Sequence, residues 1–386
     1  MQLSVIILNY NVRYFLEQCV LSVLKAIEQL DAEIIVVDND SHDDSCTMLA
    51  QRFPNVRLIR NNSNLGFPKG NNLGVAAAEG DYICILNPDT VVAEDTFTKV
   101  LEFANKQNDV GIVGVRLIDG TGNFLPESKR GIPTPFVAFT KITALYKLLP
   151  KLFGQYYAQH LPDSQTGKVD ILVGAFMLMK RDLYSEVGGF DENCFMYSDD
   201  IDLSYMVLKS GRSNYYFADT TVIHYKGEST VKDHTYMKRF AEAMNFFYKK
   251  HFRVSKAFDV FMRIGTFFFT LHKKQSTPPR TQMPTRYVLL TTDQMVRQKV
   301  ENFFGKICRT HDGTVENALN SFLPNDEIIF DNNVHSFKSI ISQMQMLKDR
   351  GLTFKILPDD SDFIIGSNSS NDRGQVIALR PAPTSI

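Results

Sequence analysis

The feature that most constrains the fold of this chain is the regular alternation of short apolar strands with helical segments near its start. Runs rich in β-branched residues predict strands at residues 4–8, 33–37, 56–60 and 82–86, and helical spacing predicts helices between them at residues 15–30, 45–53 and 70–78. This order predicts a mostly parallel sheet covered by helices. Each predicted strand is followed by a polar cluster: Asn9 to Asn11, Asp38 to Ser41, Asn61 to Gly66, and Asn87 to Asp89. Because ligands of such sheets bind at the carboxyl ends of the strands, we expect the functional site there.

The rest of the sequence predicts an insertion and a second, smaller α/β domain. Residues 111–134 show short strand patterns around an Asp119-Gly120 turn, which is typical of a hairpin-like insertion. Residues 275–285 contain three prolines and predict a linker. The predicted organisation is therefore a first, larger domain at residues 1–231, a helical extension at 232–274, the linker, and a Rossmann-like domain of unknown role at 286–386.

The predicted second domain lacks the turn that binds dinucleotides. Its first strand, Tyr287 to Leu290, is followed by Thr291-Thr292-Asp293 and not by a glycine-rich loop. We therefore expect a scaffold or a module that docks a partner.

Charge, cysteines and hydropathy narrow the location and the partners. The net charge is −1, which gives no reason to expect nucleic acid as a partner. The five cysteines show no metal-ligand spacing and predict free thiols in a reducing compartment. The first strand pattern starts within two residues of Met1, which leaves no room for a signal peptide. The longest apolar stretch, Ile264 to Leu271, is much shorter than the roughly 20 residues that span a bilayer. We expect a cytoplasmic protein without a transmembrane helix.

Two strand ends offer ligands for a divalent cation. Asp89, in Asn87-Pro88-Asp89, follows an apolar strand and provides the carboxylate oxygen that Mg²⁺ or Mn²⁺ prefers, usually in company with substrate phosphates. His224 ends another apolar strand and is a second candidate ligand. From these residues alone the alternatives stay open, because Asn-Pro-Asp is also a common turn sequence and a lone histidine is often structural.

Three carboxylates, those of Asp199, Asp200 and Asp202, occupy four positions at the start of a helical pattern. Like charges this close repel one another and raise the pKa of at least one group, which suits a general base. The alternative is a solvated helix N-terminus, where acidic residues are favoured by the helix dipole.

Several ordered motifs together resemble a known family. They are Val5 to Asn11, Val37-Asp38-Asn39, Asn64 to Phe67 with Gly70-Asn71-Asn72-x-Gly74, Gly80-Asp81-Tyr82 before Leu86 to Thr90, Gly188 to Glu192, and Asp199-Asp200-x-Asp202-Leu203. In this order and spacing they resemble glycosyltransferase family 2, the rhamnosyltransferase-like branch with the GT-A fold. The resemblance covers roughly residues 1–250. It implies an inverting glycosyltransferase that moves a sugar from a nucleotide-diphosphate donor to an acceptor hydroxyl.

The resemblance also assigns roles. Tyr10 and Asp38 fall where the family contacts the base of the donor, and Asn72 and Asp81 fall in segments that shape the donor site. Asn87-Pro88-Asp89 stands at the family's Asp-x-Asp position, which leaves Asp89 as the main metal carboxylate and His224 as the residue that helps to hold the metal and the diphosphate. Asp199-Asp200 replaces the family's Glu-Asp pair, so Asp200 is the expected base and Asp199 its neighbour.

The same resemblance implies a glycan or lipid-linked acceptor and a place in polysaccharide or glycolipid assembly of a bacterial cell envelope. Two other readings of the sequence are a catalytically inactive sugar-nucleotide binding protein on this fold and a nucleotidyltransferase. Intact Asp89, Asp200 and His224 argue against the first reading. The second would require a glycine-rich, basic phosphate loop after the first strand, and Asn9 to Asn11 has none of its features.

Residues 232–274 combine positive charge with aromatic side chains. They contain ten Lys or Arg residues against three acidic ones, and their phenylalanines include those at 246, 247, 252, 258, 261, 267, 268 and 269. Helices with a basic face beside an aromatic face lie in the interface of anionic membranes, which predicts peripheral attachment to the inner face of the cell membrane. The alternative is that these aromatics pack against the catalytic domain or close a homodimer.

Overall fold

A computed structural model describes residues 1–134, 157–194, 197–226, 234–252, 284–305, 308–311, 315–369 and 374–379. The described strands form two sheets, one of nine strands and one of six. The α/β class predicted from the sequence is confirmed.

The first sheet begins with the predicted alternating pattern. Its strands are β1 (Leu3–Asn9), β2 (Ala32–Asp38), β3 (Arg57–Arg60), β4 (Tyr82–Leu86), β5 (Thr90–Val91), β6 (Val110–Ile118), β7 (Gly167–Val169), β8 (Phe176–Lys180) and β9 (Ser213–His224). They run in the order β3-β2-β1-β4-β8-β6-β9-β5, and β7 pairs with β9. Strands β1 to β4 are parallel to one another where they pair, so their carboxyl ends share one edge.

Helices cover both faces of this sheet. They are α1 (Arg13–Ile27), α2 (Ser45–Arg52), α3 (Phe67–Ala76), α4 (Thr96–Lys106), α5 (Arg181–Glu186), α6 (Asp199–Lys209) and α7 (His234–His251), with a short 3₁₀ turn at Pro126–Ser128. One apolar core lies between β1 and α1, where Val5, Leu16 and Val20 are fully buried. A second core lies on the opposite face, where Ile6, Ile35 and Ile83 are fully buried. The alternation of side chains along each strand feeds both cores, as expected of a sheet covered on both faces.

The predicted hairpin-like insertion at residues 111–134 is wrong. Its first part is β6, a strand inside the main sheet that pairs in parallel with β9 and antiparallel with β8. The Asp119-Gly120 turn exists, because the Asp119 amide donates to the Asn123 carbonyl. However, it closes a short bridge between Ile118 and Phe124 and not a separate hairpin. The apolar pattern of residues 110–118 fits either a strand of a local hairpin or a strand inside the main sheet. Only its pairing with β8 and β9 distinguishes the two.

The start of the basic, aromatic segment packs on the first domain. Helix α7 contributes Met244, Phe247 and Tyr248 to a buried cluster that also contains Ile171 and Ile201. The predicted membrane-facing role is therefore wrong for Phe247, whose side chain is fully buried. Residues 253–274 lie outside the described part of the chain.

Helix α7 is also tied down by charge. Lys250 Nζ lies 2.7 Å from Asp191 and 2.8 Å from Asp202, and His251 Nε2 lies 2.5 Å from Asp202. The third carboxylate of the acidic cluster is thus an anchor for α7. Lys250 Nζ is accordingly engaged by two carboxylates of the first domain.

The second sheet and its helices form what we call the C-terminal domain. Its strands are β10 (Arg286–Leu290), β11 (Cys308–His311), β12 (Asp326–Asp331), β13 (Thr353–Leu357), β14 (Phe363–Gly366) and β15 (Gln375–Ala378), in the order β11-β10-β12-β13-β14-β15. Its helices are α8 (Gln294–Phe304), α9 (Val315–Ala318) and α10 (Phe337–Leu347), with a 3₁₀ turn at Leu319–Ser321. The first four strands of this order are parallel, and β14 and β15 are antiparallel.

The two sheets share an apolar core. Val91, Ile223 and Tyr225 of the first sheet belong to the same buried cluster as Phe337 and Ile341 of α10. Among the described helices, none has the length and apolar character needed to cross a bilayer.

Candidate active site

Asp89 and His224 meet at one edge of the first sheet. Strand β5 pairs antiparallel with β9 so that Thr90 lies opposite His224, which brings the preceding Asp89 beside the imidazole. The Asp89 Oδ1 atom lies 3.5 Å from His224 Nε2, and both side chains are more than nine-tenths buried. The Tyr225 amide donates to the Asp89 carbonyl at 3.0 Å and fixes the two segments together. The two strand-end residues that the sequence singled out as metal ligands are therefore neighbours.

The Asn87 side chain joins this pair. Its Nδ2 atom lies 3.4 Å from His224 Nε2. The backbone carbonyl of Asn87 accepts a hydrogen bond from the Thr90 hydroxyl at 2.8 Å. Beneath the turn, the buried Cys19 thiol donates to the same carbonyl at 3.6 Å. The Asn-Pro-Asp sequence is thus both a turn and a candidate site. Cys19 and Thr90 hold the Asn87 backbone, and the side chains of Asn87 and Asp89 face His224.

The donor set fits a hard divalent cation that takes most of its ligands from substrate and water. His224 Nδ1 is buried and has no hydrogen-bond partner among the described residues, although Nε2 faces Asp89. The described part of the chain contains no cluster of three or more His, Cys, Asp or Glu side chains that could enclose a metal. Mg²⁺ is commonly bound by one or two carboxylates together with phosphate oxygens, which matches a site with few protein ligands.

Asp199 and Asp200 open helix α6 and differ in their surroundings. The Asp200 carboxylate accepts from Arg130 Nη2 at 2.5 Å and from the Gly174 amide at 3.1 Å. Burial, followed by the charge of Asp200, raises the pKa of Asp199 to about 7. The expectation that the acidic cluster contains one raised pKa therefore applies to Asp199, while Asp200 is paired with a cation.

A short backbone segment connects the acidic pair with the strand-end pair. Gly174 donates to Asp200, and the carbonyl of the next residue, Ala175, accepts from the Asn87 amide at 3.0 Å. This contact follows from the antiparallel pairing of β4 with β8, in which Leu86 lies opposite Phe176. The start of α6 and the end of β4 therefore border the same region of the sheet edge.

Tyr10 and Asp38 follow β1 and β2 at this edge. Tyr10 is half-buried, and Asp38 is almost fully buried. The Asp38 carboxylate accepts from Asn9 Nδ2 at 2.7 Å and from the Ser41 amide at 3.0 Å. A carboxylate has lone pairs left for a ligand after two such bonds, so the predicted contact with a donor base remains a prediction.

Asn72 lies elsewhere and has a different task. Its amide group donates to the Phe190 carbonyl at 2.9 Å and accepts from the Phe190 amide at 3.2 Å. Two glycines with left-handed backbone, Gly188 at φ 86° and Gly189 at φ 64°, bend the chain so that Phe190 can reach it. Asn72 therefore joins α3 to the Gly-Gly-Phe-Asp-Glu loop, and any effect on donor binding would act through that loop.

The structure does not place Asp81 with the other site residues, and this prediction is corrected. Asp81 is exposed and comes directly before β4, where its amide donates to the Met1 carbonyl. The five-residue strand Tyr82–Leu86 separates it from Asn87, six residues on, by about 20 Å, at roughly 3.3 Å per residue. It lies at the amino edge of the sheet, opposite the edge that carries the site.

The comparison with known proteins decides the family. A model described as "Glycosyl transferase family 2" matches residues 4–188, which include strands β1 to β4 and the Asn87 to Asp89 turn. Residues 4–188 of the chain belong to glycosyltransferase family 2. This confirms the resemblance stated above and the GT-A type of the first sheet, and it makes the protein a glycosyltransferase.

The glycosyltransferase is similar to several characterised relatives. It is 29% identical over 243 residues to an N-acetylglucosaminyl-diphospho-decaprenol L-rhamnosyltransferase of Mycobacterium tuberculosis, with 60% of this chain and 78% of that protein covered. It is 27% identical to the rhamnosyltransferase WbbL of Escherichia coli, with 52% and 77% covered. A solved structure of a mannosyltransferase from Pyrobaculum calidifontis in complex with GDP-Man and Mn²⁺ aligns over 72% of this chain and 76% of that one, at 16% identity and a TM-score of 0.48.

Arg130 is the site residue that sequence reasoning missed. It precedes Asp200 by 70 positions, and its guanidinium also donates to the Leu172 carbonyl at 3.1 Å. It sits in the stretch that the strand pattern assigned to an insertion, where a single arginine has no periodic or motif signal. An isolated antiparallel β-bridge between Arg130 and Ile171 brings the arginine to α6.

Proposed function

We propose that this glycosyltransferase moves a sugar from a nucleotide-diphosphate donor to an acceptor hydroxyl with inversion at the anomeric carbon. The observation that carries the proposal is the convergence at one sheet edge of a cation-paired carboxylate, Asp200, and a buried Asp89–His224 pair, connected through Gly174 and Ala175. The Asp200 carboxylate can accept a proton, and the Asp89–His224 pair can hold a divalent cation that binds an anionic leaving group. These are the two functions that a single displacement requires.

Asp200 is the proposed base. It takes the proton from the acceptor hydroxyl as that oxygen attacks the anomeric carbon on the face opposite the diphosphate. The bond from the anomeric carbon to the diphosphate oxygen breaks in the same step, so one displacement inverts the centre and no sugar is attached to the enzyme. The contacts with Arg130 and with the Gly174 amide support this role because they hold the carboxylate in one position, as a base at a reacting hydroxyl requires.

Asp89 and His224, with Asn87 beside them, are the proposed ligands of a divalent cation, Mg²⁺ or Mn²⁺. When bound, such a cation would neutralise the charge of the leaving diphosphate. Tyr10 and Asp38 are proposed to hold the base of the donor at the ends of β1 and β2.

The proposed acceptor is a glycan or a lipid-linked sugar, and the proposed process is assembly of a cell-surface polysaccharide or glycolipid. The support is the name of the mycobacterial relative, which acts on a sugar attached to decaprenol through a diphosphate. A lipid-linked acceptor would require the enzyme to work at the cytoplasmic face of a membrane. Since Met244, Phe247 and Tyr248 of α7 are packed on the first domain, we propose that the exposed Lys249 and the basic residues beyond Phe252 make the membrane contact.

Incubating the protein with a panel of nucleotide sugars, Mn²⁺ and a prenyl-diphosphate-linked acceptor sugar tests this proposal. We expect one donor to release its nucleoside diphosphate and to yield a product whose anomeric configuration, read by NMR, is opposite to that of the donor. Asp200→Asn should lose most of this turnover. Asp182→Asn, a change at an exposed position on α5, is its matched control. A product with retained configuration would overturn the single displacement, and donor binding without any turnover would instead indicate an inactive binding protein.

A further inference from the structure

We infer that the C-terminal domain holds the Asp89–His224 pair in place, and that Glu94 is the positioning residue that connects the two. The inference rests on the role proposed above for that pair. It gives the C-terminal domain a task in the reaction, because none of the predicted site residues lies in it.

The starting point is the weakness of the strand that follows Asp89. Strand β5 has only two residues and lies at the end of the sheet, where it pairs with β9 through Thr90 and Val91. A two-residue strand at a sheet edge makes few backbone hydrogen bonds, so packing must provide most of its stability. The position of Asp89 relative to His224 depends on that packing.

The packing comes from the C-terminal domain. Val91 and Ile223, which face each other across β5 and β9, are fully buried, and Tyr225 is 2% exposed. All three belong to the cluster that contains Phe337, Ile340, Ile341 and Met344 of α10. The same cluster contains Phe15 of α1, whose ring lies 5.3 Å from that of Tyr225. Val91, which follows Asp89, and Ile223 and Tyr225, which flank His224, are thus part of a core shared with the C-terminal domain.

Glu94 adds a polar connection three residues after Val91. Its two carboxylate oxygens accept from the Phe337 amide at 2.7 Å and the Lys338 amide at 2.9 Å, which are the first two amides of α10. Helix N-termini leave such amides without partners inside the helix, and a carboxylate there is further favoured by the helix dipole. Lys338 Nζ lies 2.7 Å from Asp95 and closes a second link between the domains.

The consequence is a continuous path from α10 through Glu94 to the Asp89 turn. Removing the Glu94 carboxylate would free two helix amides and loosen β5 against β9. Changes in residues that support metal ligands typically weaken metal binding by about 10- to 100-fold, and we expect the lower end of this range, about tenfold, because the shared apolar core would remain. Asp200 lies outside this path, so turnover at saturating metal should change less than metal affinity.

The test compares Glu94→Ala and Glu94→Gln with wild type in the full chain. Glu102→Ala, a change at an exposed glutamate on the neighbouring α4, is the matched control. Hydrogen–deuterium exchange gives a readout without metal: peptides covering residues 87–95 and 221–226 should exchange faster in Glu94→Ala, and peptides covering β1 and α6 should not. Glu94→Gln keeps one acceptor oxygen and should lie between the two, and it replaces Glu94→Ala if the latter does not fold.

The second readout is Mn²⁺ binding, measured as the decrease in the EPR signal of the free ion. We expect about tenfold weaker binding in Glu94→Ala and no change in Glu102→Ala. Unchanged exchange at 87–95 and 221–226 in a folded Glu94→Ala variant would overturn the inference. Wild-type protein that binds no Mn²⁺ would overturn the proposed metal role instead, and faster exchange in Glu94→Ala would still support the mechanical link between the domains.

Discussion

Replacing Asp199 with Asn should stabilise the protein more at pH 8 than at pH 5. Asp199 is 7% exposed at the start of α6. Burial and the neighbouring charge of Asp200 raise its pKa to about 7, against the opposing effects of nearby backbone amides and of Arg130. Ionised Asp199 therefore lowers the stability of the folded state, and an uncharged isostere removes this effect.

The size of the effect follows from the two pKa values. An aspartate in an unfolded chain has a pKa of about 3.9. Because the folded pKa is higher than the unfolded one, the destabilisation is absent below about pH 4, grows as the pH rises, and is complete above about pH 7. Between pH 5 and pH 8 it grows by about 2 to 3 kcal/mol in the free energy of unfolding. The advantage of Asp199→Asn over wild type should grow by up to this amount.

Urea unfolding of both proteins at pH 5 and pH 8, monitored by circular dichroism, measures this difference. Asp182→Asn removes an exposed carboxylate from the first turn of α5 and should show no such pH dependence. If Asp199→Asn changed the free energy of unfolding by the same amount at both pH values, the assignment of the raised pKa to Asp199 would be refuted.

Four further outcomes are expected. Asp200→Asn should reduce turnover by at least roughly 100-fold while donor binding, measured by calorimetry, is retained, and near-normal turnover would reject Asp200 as the base. A chelator should stop transfer and added Mg²⁺ or Mn²⁺ should restore it, whereas full activity in chelator would show that side chains alone stabilise the leaving group. Lys250→Ala should lower the free energy of unfolding by about 1 to 3 kcal/mol, since Asp202 loses a partner, while Lys249→Ala at the adjacent exposed position should be nearly neutral. Wild-type protein should sediment with anionic liposomes at low salt, and replacing Lys249, Arg253 and Lys256 with Glu should abolish this; wild-type protein left in the supernatant would reject membrane attachment.

The order of strands and helices could be predicted from the sequence because it depends on local periodicity. Strand β4 was predicted at the bounds that the structure shows, Tyr82–Leu86, and the polar residues after it were expected at the carboxyl edge. The resemblance to the family implied a shared metal role for Asp89 and His224, and the pairing of β5 with β9 is what brings them together in the structure. The motif order also sufficed to indicate the family, which the family model confirms.

Tertiary structure decided the partner of each charged side chain. Three carboxylates within four positions looked equivalent in the sequence, yet Asp200 pairs with Arg130, Asp202 pairs with Lys250, and Asp199 is left with the raised pKa. Periodicity indicates which face of a helix or strand a residue occupies. The oppositely charged partner of that residue comes from a segment tens of residues away in the sequence. Asp81 is a different case, because the predicted strand at residues 82–86 already placed it at the end opposite the site, and only the resemblance to the family assigned it to the donor site.

The relation between the two domains was also beyond the sequence. A proline-containing stretch at 275–285 predicted a linker and thus two separate units, but Val91, Ile223 and Phe337 share one core, and Glu94 binds the N-terminus of α10 across 243 residues of chain. An apolar strand residue has the same pattern whether it is buried by its own domain or by another one. The sequence by itself therefore determined which segments form the sheets and which strand ends carry polar chemistry, and only the packing of one domain on the other decided what holds those strand ends in place.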